Sequence, residues 1–249
     1  DEGSQQVIPS TLIAMQKGPK AVIAGDHMQL PPTVQSPKAS DLAYSLFEKL
    51  IETYPGLSQM LDTQYRMHRD LIAFSKRVFY NNKLHTAKAN EAITPRDLSP
   101  SASSQVHGFI DSCTNSYGEQ RGSDATSFYN VDEIECVSHQ LQKLARQGIS
   151  QKDIGIISPY QGQVRALKDK LCGTYNKVEI NSIDGFQGRE KEIIILSFVR
   201  SNSAGNIGFL NDYRRLNVAL TRAKRCLIAV GCAKTLRHDP IYDAWLGKM

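Results

Sequence analysis

The run Ile193-Ile194-Ile195-Leu196-Ser197-Phe198-Val199 constrains the fold more than any other stretch of the sequence. A strand with one wet face alternates apolar and polar residues; this run leaves no face for water and belongs at the centre of a sheet covered on both sides. Such sheets are parallel, with crossover helices between their strands. The surrounding sequence has that rhythm. Ile154-Gly155-Ile156-Ile157 reads as a strand, and from about Gln161 Val164, Leu167 and Leu171 mark one face of a helix. Strands at 178–182 and Leu227-Ile228-Ala229-Val230 flank the central run on either side in sequence. Before them, Val131, Ile134, Val137, Leu141 and Leu144 recur at spacings of three and four, which predicts a helix with Asn130 and Glu133 as its cap pair.

The first 55 residues form a different unit, with expected helices over 7–15 and 40–51 and a strand at Ala21-Val22-Ile23-Ala24. Because the chain opens on two acids with no preceding strand, upstream sequence is expected to complete that sheet. Residues 92–105 and 115–129 are rich in Ser, Thr, Pro, Asn and Gly and read as surface loops. The chain has no internal repeat. At 249 residues it holds one large domain or two small ones, and no apolar stretch reaches the roughly 18 to 20 residues that span a bilayer. Five scattered cysteines without a C-x-x-C pair, and six dispersed histidines, suggest neither a disulfide framework nor a transition-metal site, and an intracellular home is expected. The net charge of +5 permits a polyanionic partner without requiring one.

Five short segments carry chemistry. Asp1-Glu2 has the composition of a pair in which an aspartate organises Mg²⁺ and a glutamate orients or deprotonates a water, although taken alone two acids at a terminus read more plainly as solvated charges. Gly25-Asp26-His27-Met28-Gln29-Leu30-Pro31-Pro32 places a glycine turn after a strand, where Gln29 can reach a bound phosphate; a Pro-terminated turn explains it equally well. In Gln64-Tyr65-Arg66-Met67-His68, Tyr65 offers a flat face for a base and Arg66 a permanent charge for phosphate, against simple packing of Tyr65. Asp184-Gly185-Phe186-Gln187-Gly188-Arg189-Glu190 lies between two strands and is too long and polar for a hairpin. Asn217-Val218-Ala219-Leu220-Thr221-Arg222-Ala223-Lys224 is expected within a helix opening near Asp212, where Arg222 can project toward the phosphate served by Arg66, or can be an ordinary exposed base.

In this order the five segments resemble motifs II, III, IV, V and VI of superfamily 1 helicases, and their wording resembles the 1B branch that holds the RNA-surveillance helicase of nonsense-mediated decay and the immunoglobulin-mu-binding helicase. The resemblance spans nearly the whole chain. It implies an α/β, RecA-like P-loop NTPase fold, a parallel sheet flanked by helices, with 1–55 as the tail of a first RecA-like domain and 56–249 as the second. It implies an ATP-dependent 5′-to-3′ motor on single-stranded RNA or DNA, generally monomeric, working in cytoplasm or nucleus. The implied roles are Asp1 on Mg²⁺, Glu2 on the hydrolytic water, Gln29 sensing the γ-phosphate, Tyr65 stacking on adenine, and Arg66 and Arg222 as arginine fingers. Gly188 and Glu190 are implied to close the ATP cleft, and Ser158, Tyr160, Ser182 and Asp184 to lie along the nucleic acid.

Two departures bear on activity. The chain contains no G-x-x-x-x-G-K-[ST] stretch, so the phosphate cradle is expected in a missing N-terminal RecA-like half supplied in cis, and this chain alone is expected to be inactive. The second, Gly3 in place of the alanine usual in motif II, is minor and is expected to leave the motif working. The alternative is a non-enzymatic RecA-like module that binds nucleic acid or protein. A fused nuclease has no carboxylate cluster to support it.

Overall fold

The computed structural model of the protein describes residues 1–34, 36–113, 118–122 and 127–248. It divides into two units, Asp1–Asp62 and Thr63–Met249. Unit 1 carries helices α1 (Ile8–Met15) and α2 (Leu46–Thr53). Pro9 sits in the first turn of α1, where no helical hydrogen bond is lost. The side chain of Ser45 accepts the Glu48 N–H at 3.1 Å and fixes the start of α2. That start corrects the helix expected over 40–51: Pro37–Ala43 forms a separate 3₁₀ stretch kinked at Ala39, because a capping serine must itself lie in extended backbone. The strand expected at Ala21–Ala24 is also absent among the described residues. Val22 is 97% exposed, and an apolar run becomes a strand only where a ladder partner meets it.

Unit 2 runs through β1 (Thr63–Gln64), α3 (Arg69–Val78), β2 (His85–Thr86), β3 (His107–Asp111), β4 (Glu119–Arg121), β5 (Phe128–Asn130), α4 (Val131–Arg146), β6 (Ile154–Ser158) and α5 (Gln161–Leu171). It continues through β7 (Glu179–Ser182), β8 (Lys191–Ser197), α6 (Tyr213–Leu220), β9 (Ala223–Gly231), α7 (Ala233–Leu236) and α8 (Pro240–Leu246). Five strands form an all-parallel sheet in the order β3-β9-β8-β6-β7, the α/β architecture expected from the sequence. The expected central strand, β8, is the third of the five. Ile193, Ile194, Ile195 and Leu196 are fully shut off from water there, each stabilising the sheet by roughly 1.5 to 3 kcal/mol relative to exposure.

Side chains alternate across the sheet, so Ile193 and Ile195 join Ile154 and Ile156 in one core. Val137 and Leu141 of α4 and Val164 and Leu167 of α5 pack into the same core. The Asn130 side chain caps α4 by accepting the Glu133 N–H at 3.2 Å. Only half of the expected cap pair forms. The Glu133 carboxylate turns inward instead, where it accepts from Ser197 Oγ and Val199 N.

Residues 115–129 are not simply loop. Glu119–Arg121 pairs antiparallel with Phe128–Asn130, while 115–117 and 123–126 lie outside the described residues. Residues 92–105 are largely irregular, with a 3₁₀ turn at Pro95–Asp97 and an anchor in the buried Ala102. No helix among the described residues is long and apolar enough to cross a membrane.

Candidate active site

Parallel strands give the sheet of unit 2 two chemically distinct edges. Lys191 pairs with Ala223 at the amino ends of β8 and β9, whereas Ser158 pairs with Ser182 at the carboxyl ends of β6 and β7. The segment 184–190 is therefore a crossing from one edge to the other, turned by Gly188 at φ 73°.

Tyr65 and Arg66 reach the amino edge on a turn closed by one side chain. Gln64 Oε1 accepts the N–H groups of Arg66 at 2.9 Å and Met67 at 2.8 Å, and its Nε2 donates to Met67 O and Thr86 Oγ1, both at 2.9 Å. Met67 is buried at 2% exposure and His68 N–H donates to Lys224 O at 2.9 Å, which ties the turn to β9. The Tyr65 ring is left 74% exposed.

Arg66 Nε lies 2.5 Å from Glu190 Oε2, and Arg66 Nη1 donates to Thr221 O at 3.2 Å. Lys224 Nζ holds the other oxygen of Glu190 at 2.9 Å and stands 3.5 Å from Glu192. Partial burial pushes the Glu190 carboxyl up, but the hydrogen bonds from Lys224 and Arg66 outweigh it and hold the group below the usual carboxylate range. The same bond to Glu190 raises Lys224. Arg222 sits beside this cluster at 2% exposure, with Nε donating to Val218 O at 2.9 Å, Nη2 to Thr221 Oγ1 at 2.9 Å and Nη1 to Arg189 O at 3.5 Å. It is not on a helix: α6 ends at Leu220 and Ala223 opens β9, because pairing with Lys191 overrides the helix-forming composition of Ala223-Lys224. Tyr65, Arg66, Glu190 and Lys224 line an open cleft of 570 Å³ together with Asn90 and Arg225.

At the carboxyl edge the residues expected along nucleic acid separate. Ser158 is buried, and its Oγ accepts the Tyr160 N–H at 3.4 Å. Tyr160 is buried at 2% exposure and packs against Phe128 and Phe209, so its side chain presents no surface to a ligand. Ser182 is buried and its Oγ accepts the Gly185 N–H at 3.2 Å; Asp184 is exposed, 3.5 Å from Arg215 Nη2.

Unit 1 brings its own pair of segments together. Gly3 N–H donates to Ala24 O at 2.8 Å, and a side chain at Gly25 would lie 2.9 Å from the Ser4 nitrogen, so the chain at 3–4 and 24–26 is in direct contact. Asp1 Oδ1 accepts the Glu2 N–H at 2.9 Å, and the Glu2 carboxylate accepts from Gln5 Nε2. Gln29 Nε2 donates to Asp26 Oδ2 at 2.8 Å while Asp26 Oδ1 accepts the Met28 N–H at 2.9 Å. Asp26, Gln64 and Lys224 are the contributors that sequence reasoning quoted without a role. Asp26, two residues before Met28, has the spacing of an Asx turn, which was the readable signal.

Models of the AAA domain match this chain over residues 42–234 and 1–37. An uncharacterized ATP-dependent helicase of Methanocaldococcus jannaschii is 42% identical over 251 residues, covering 98% of this chain and 37% of its own length. DNA-binding protein SMUBP-2 of Mesocricetus auratus is 38% identical, covering 96% of this chain and 25% of its own. Regulator of nonsense transcripts 1 of Dictyostelium discoideum is 39% identical, covering 98% and 19%. The chain thus spans well under half the length of each of these curated relatives.

Proposed function

The chain belongs to the AAA-domain superfamily 1 helicases, and from that membership we propose that it is part of an ATP-driven motor that moves 5′ to 3′ along single-stranded RNA or DNA. In this reading unit 1 is the tail of one RecA-like domain, unit 2 is the second, and the phosphate cradle comes from sequence outside the 249 residues. The motor works as a monomer inside the cell.

The residues present fit a nucleoside triphosphate. The exposed Tyr65 ring offers a face to adenine at the rim of the cleft, and Arg66, with 33% of its side chain exposed, offers phosphate a permanent cation. Mg²⁺ commonly binds through one or two carboxylates plus phosphate and water, so the exposed Asp1 carboxylate fits even though no group of three or more His, Cys, Asp or Glu gathers among the described residues. When bound, Mg²⁺ withdraws charge from the transferring phosphoryl group.

The chain's own residues then divide the work. Glu2 orients the attacking water and takes its proton, while Gln29, steadied by Asp26, contacts the γ-phosphate. Arg66 neutralises charge developing on the phosphoryl group, a role worth roughly 10³ to 10⁵ in rate, and Arg222, buried and bound to Val218 O and Thr221 Oγ1, must turn outward to share it. Glu190 holds Arg66 until nucleotide arrives, and because Lys224 shares that carboxylate, Arg66 can leave without stranding a bare negative charge. Gly188 turns the chain that closes the cleft.

The observation that carries this reading is the gathering of Arg66, Glu190, Thr221-Arg222 and Lys224 at one sheet edge. The test is steady-state ATP hydrolysis, with and without single-stranded RNA and DNA, by this chain extended upstream through a phosphate cradle. Stimulation by either polymer is expected. No hydrolysis under any of these conditions overturns the motor and leaves a binding module.

A further inference from the structure

Phe209 leaves 61% of its surface in water on a backbone that is firmly fixed. The Asn202 side chain clamps Asn206 twice, donating to its carbonyl at 2.8 Å and accepting its N–H at 2.9 Å, and Asn206 Oδ1 accepts the Gly208 N–H at 2.9 Å. The Phe209 N–H donates to Tyr160 Oη at 3.2 Å, and Tyr242 Oη donates to Leu210 O at 3.0 Å. Ile207 and Leu210, on either side, are buried. The outward ring is therefore set by its anchors and not by a loose loop. Gly208 permits the arrangement: at φ 56°, a side chain there would come within 2.0 Å of Arg200 Nη1.

The ring cannot turn inward, because the space beneath it is filled. Tyr160 lies 5.8 Å below at a tilt of 39°, and Phe128 meets Tyr160 edge-on at 5.7 Å. The exposed Arg121 sits 5.4 Å over the Phe128 ring and brings positive charge to the same aromatic cluster. The cluster follows the carboxyl ends of β6 and β8, the edge where parallel sheets bind ligands, and not the edge that carries Arg66 and Glu190. A rigid exposed aromatic face, here on a cluster whose far ring, Phe128, carries the cation, is the kind of surface on which bases of single-stranded nucleic acid stack without being read for sequence.

We infer that Phe209 is a stacking platform for an unpaired base of the nucleic-acid strand, an inference that rests on the nucleic-acid reading above. Buried Tyr160 then supports the platform from beneath and does not touch the strand.

The test is equilibrium binding of the chain, extended upstream through the phosphate cradle as for hydrolysis, to single-stranded RNA and DNA and to an abasic oligomer of the same length. Phe209→Ala is expected to weaken base-bearing strands roughly tenfold, to leave the abasic oligomer unchanged, and to keep the slope of affinity against salt. Phe209→Trp is expected to retain affinity and lose fluorescence on binding, over a steady background from the buried Trp245. Equal affinity of wild type and Phe209→Ala overturns the stacking role and leaves the nucleic-acid reading standing. Equal losses on base-bearing and abasic oligomers also overturn it, as does unchanged F209W fluorescence at saturation, which leaves a protein surface as the occupant. Failure of the wild-type chain to bind any strand overturns the nucleic-acid reading and this inference with it.

Discussion

Raising the pH from 5 to 8 is expected to weaken unit 2 through one buried carboxyl group, Glu133, and Glu133→Gln is expected to remove that dependence. Glu133 is wholly buried, its Oε2 accepts from Ser197 Oγ at 2.5 Å and Val199 N at 2.9 Å, and its Oε1 has no partner among the described residues. Burial pushes the carboxyl up to about 8 from an ordinary 4.5, against the downward pull of the Ser197 and Val199 hydrogen bonds. The sign follows from linkage. Between these two values the native state keeps a proton that the unfolded chain has shed, so the stability present below pH 4.5 is lost as pH rises toward 8. The slope approaches about 1.4 kcal/mol per pH unit, and the loss from pH 5 to 8 is roughly 3 to 4 kcal/mol. Glutamine keeps an acceptor for both donors and cannot ionise. Its amide nitrogen takes the place of an unpartnered oxygen at a constant cost of about 1 to 3 kcal/mol, which displaces the curve without tilting it. Urea unfolding at pH 5, 6, 7 and 8, followed by Trp245, the one tryptophan of the chain, reports unit 2 directly. Subtracting variant from wild type cancels every other titrating group. A flat difference between the two curves refutes the reasoning.

Gly208→Ala is expected to destabilise unit 2 by about 2 kcal/mol or more, since it adds the approach to Arg200 Nη1 to the strain of φ 56°. Gly188→Ala, at φ 73° with nothing within 4 Å, is expected to cost only about 1 kcal/mol; thermal unfolding of the two variants checks the ordering. Alkylation of the native protein at pH 8 is expected to label exposed Cys172 and to spare Cys226, whose thiol burial pushes up to about 12, and peptide mass mapping reads the outcome.

The sheet was legible where burial dictates composition. A strand covered on both faces admits only apolar residues, so β8 and β6 stood out, and a helix that buries one stripe showed α4 and α5 by spacing. Legibility failed where pairing decides. Ala21–Ala24 looks like a strand but has no ladder, and β4, built on Glu119, Gln120 and Arg121, pairs without an apolar pattern. The Thr221-Arg222 break inside an apparent helix is set by Ala223 meeting Lys191 across the sheet. Contacts at the site are equally non-local: Arg66 and Glu190 are 124 residues apart, a separation that no spacing rule bridges, and their grouping came from the resemblance of whole motifs. Phe209 was missed because an apolar residue in sequence reads as core, and only its surroundings reveal it as surface.

The most direct test of the central claim is Arg66→Ala in the ATP-hydrolysing protein. Glu190 has a second partner in Lys224 at 2.9 Å, so removing Arg66 lowers the charge of the cleft by one without leaving the carboxylate bare, and the variant is expected to fold normally. With saturating single-stranded nucleic acid, kcat is expected to fall by roughly 10³ or more while KM for ATP changes by less than about tenfold, the signature of a contact made in the transition state. A kcat close to that of the wild type contradicts the account.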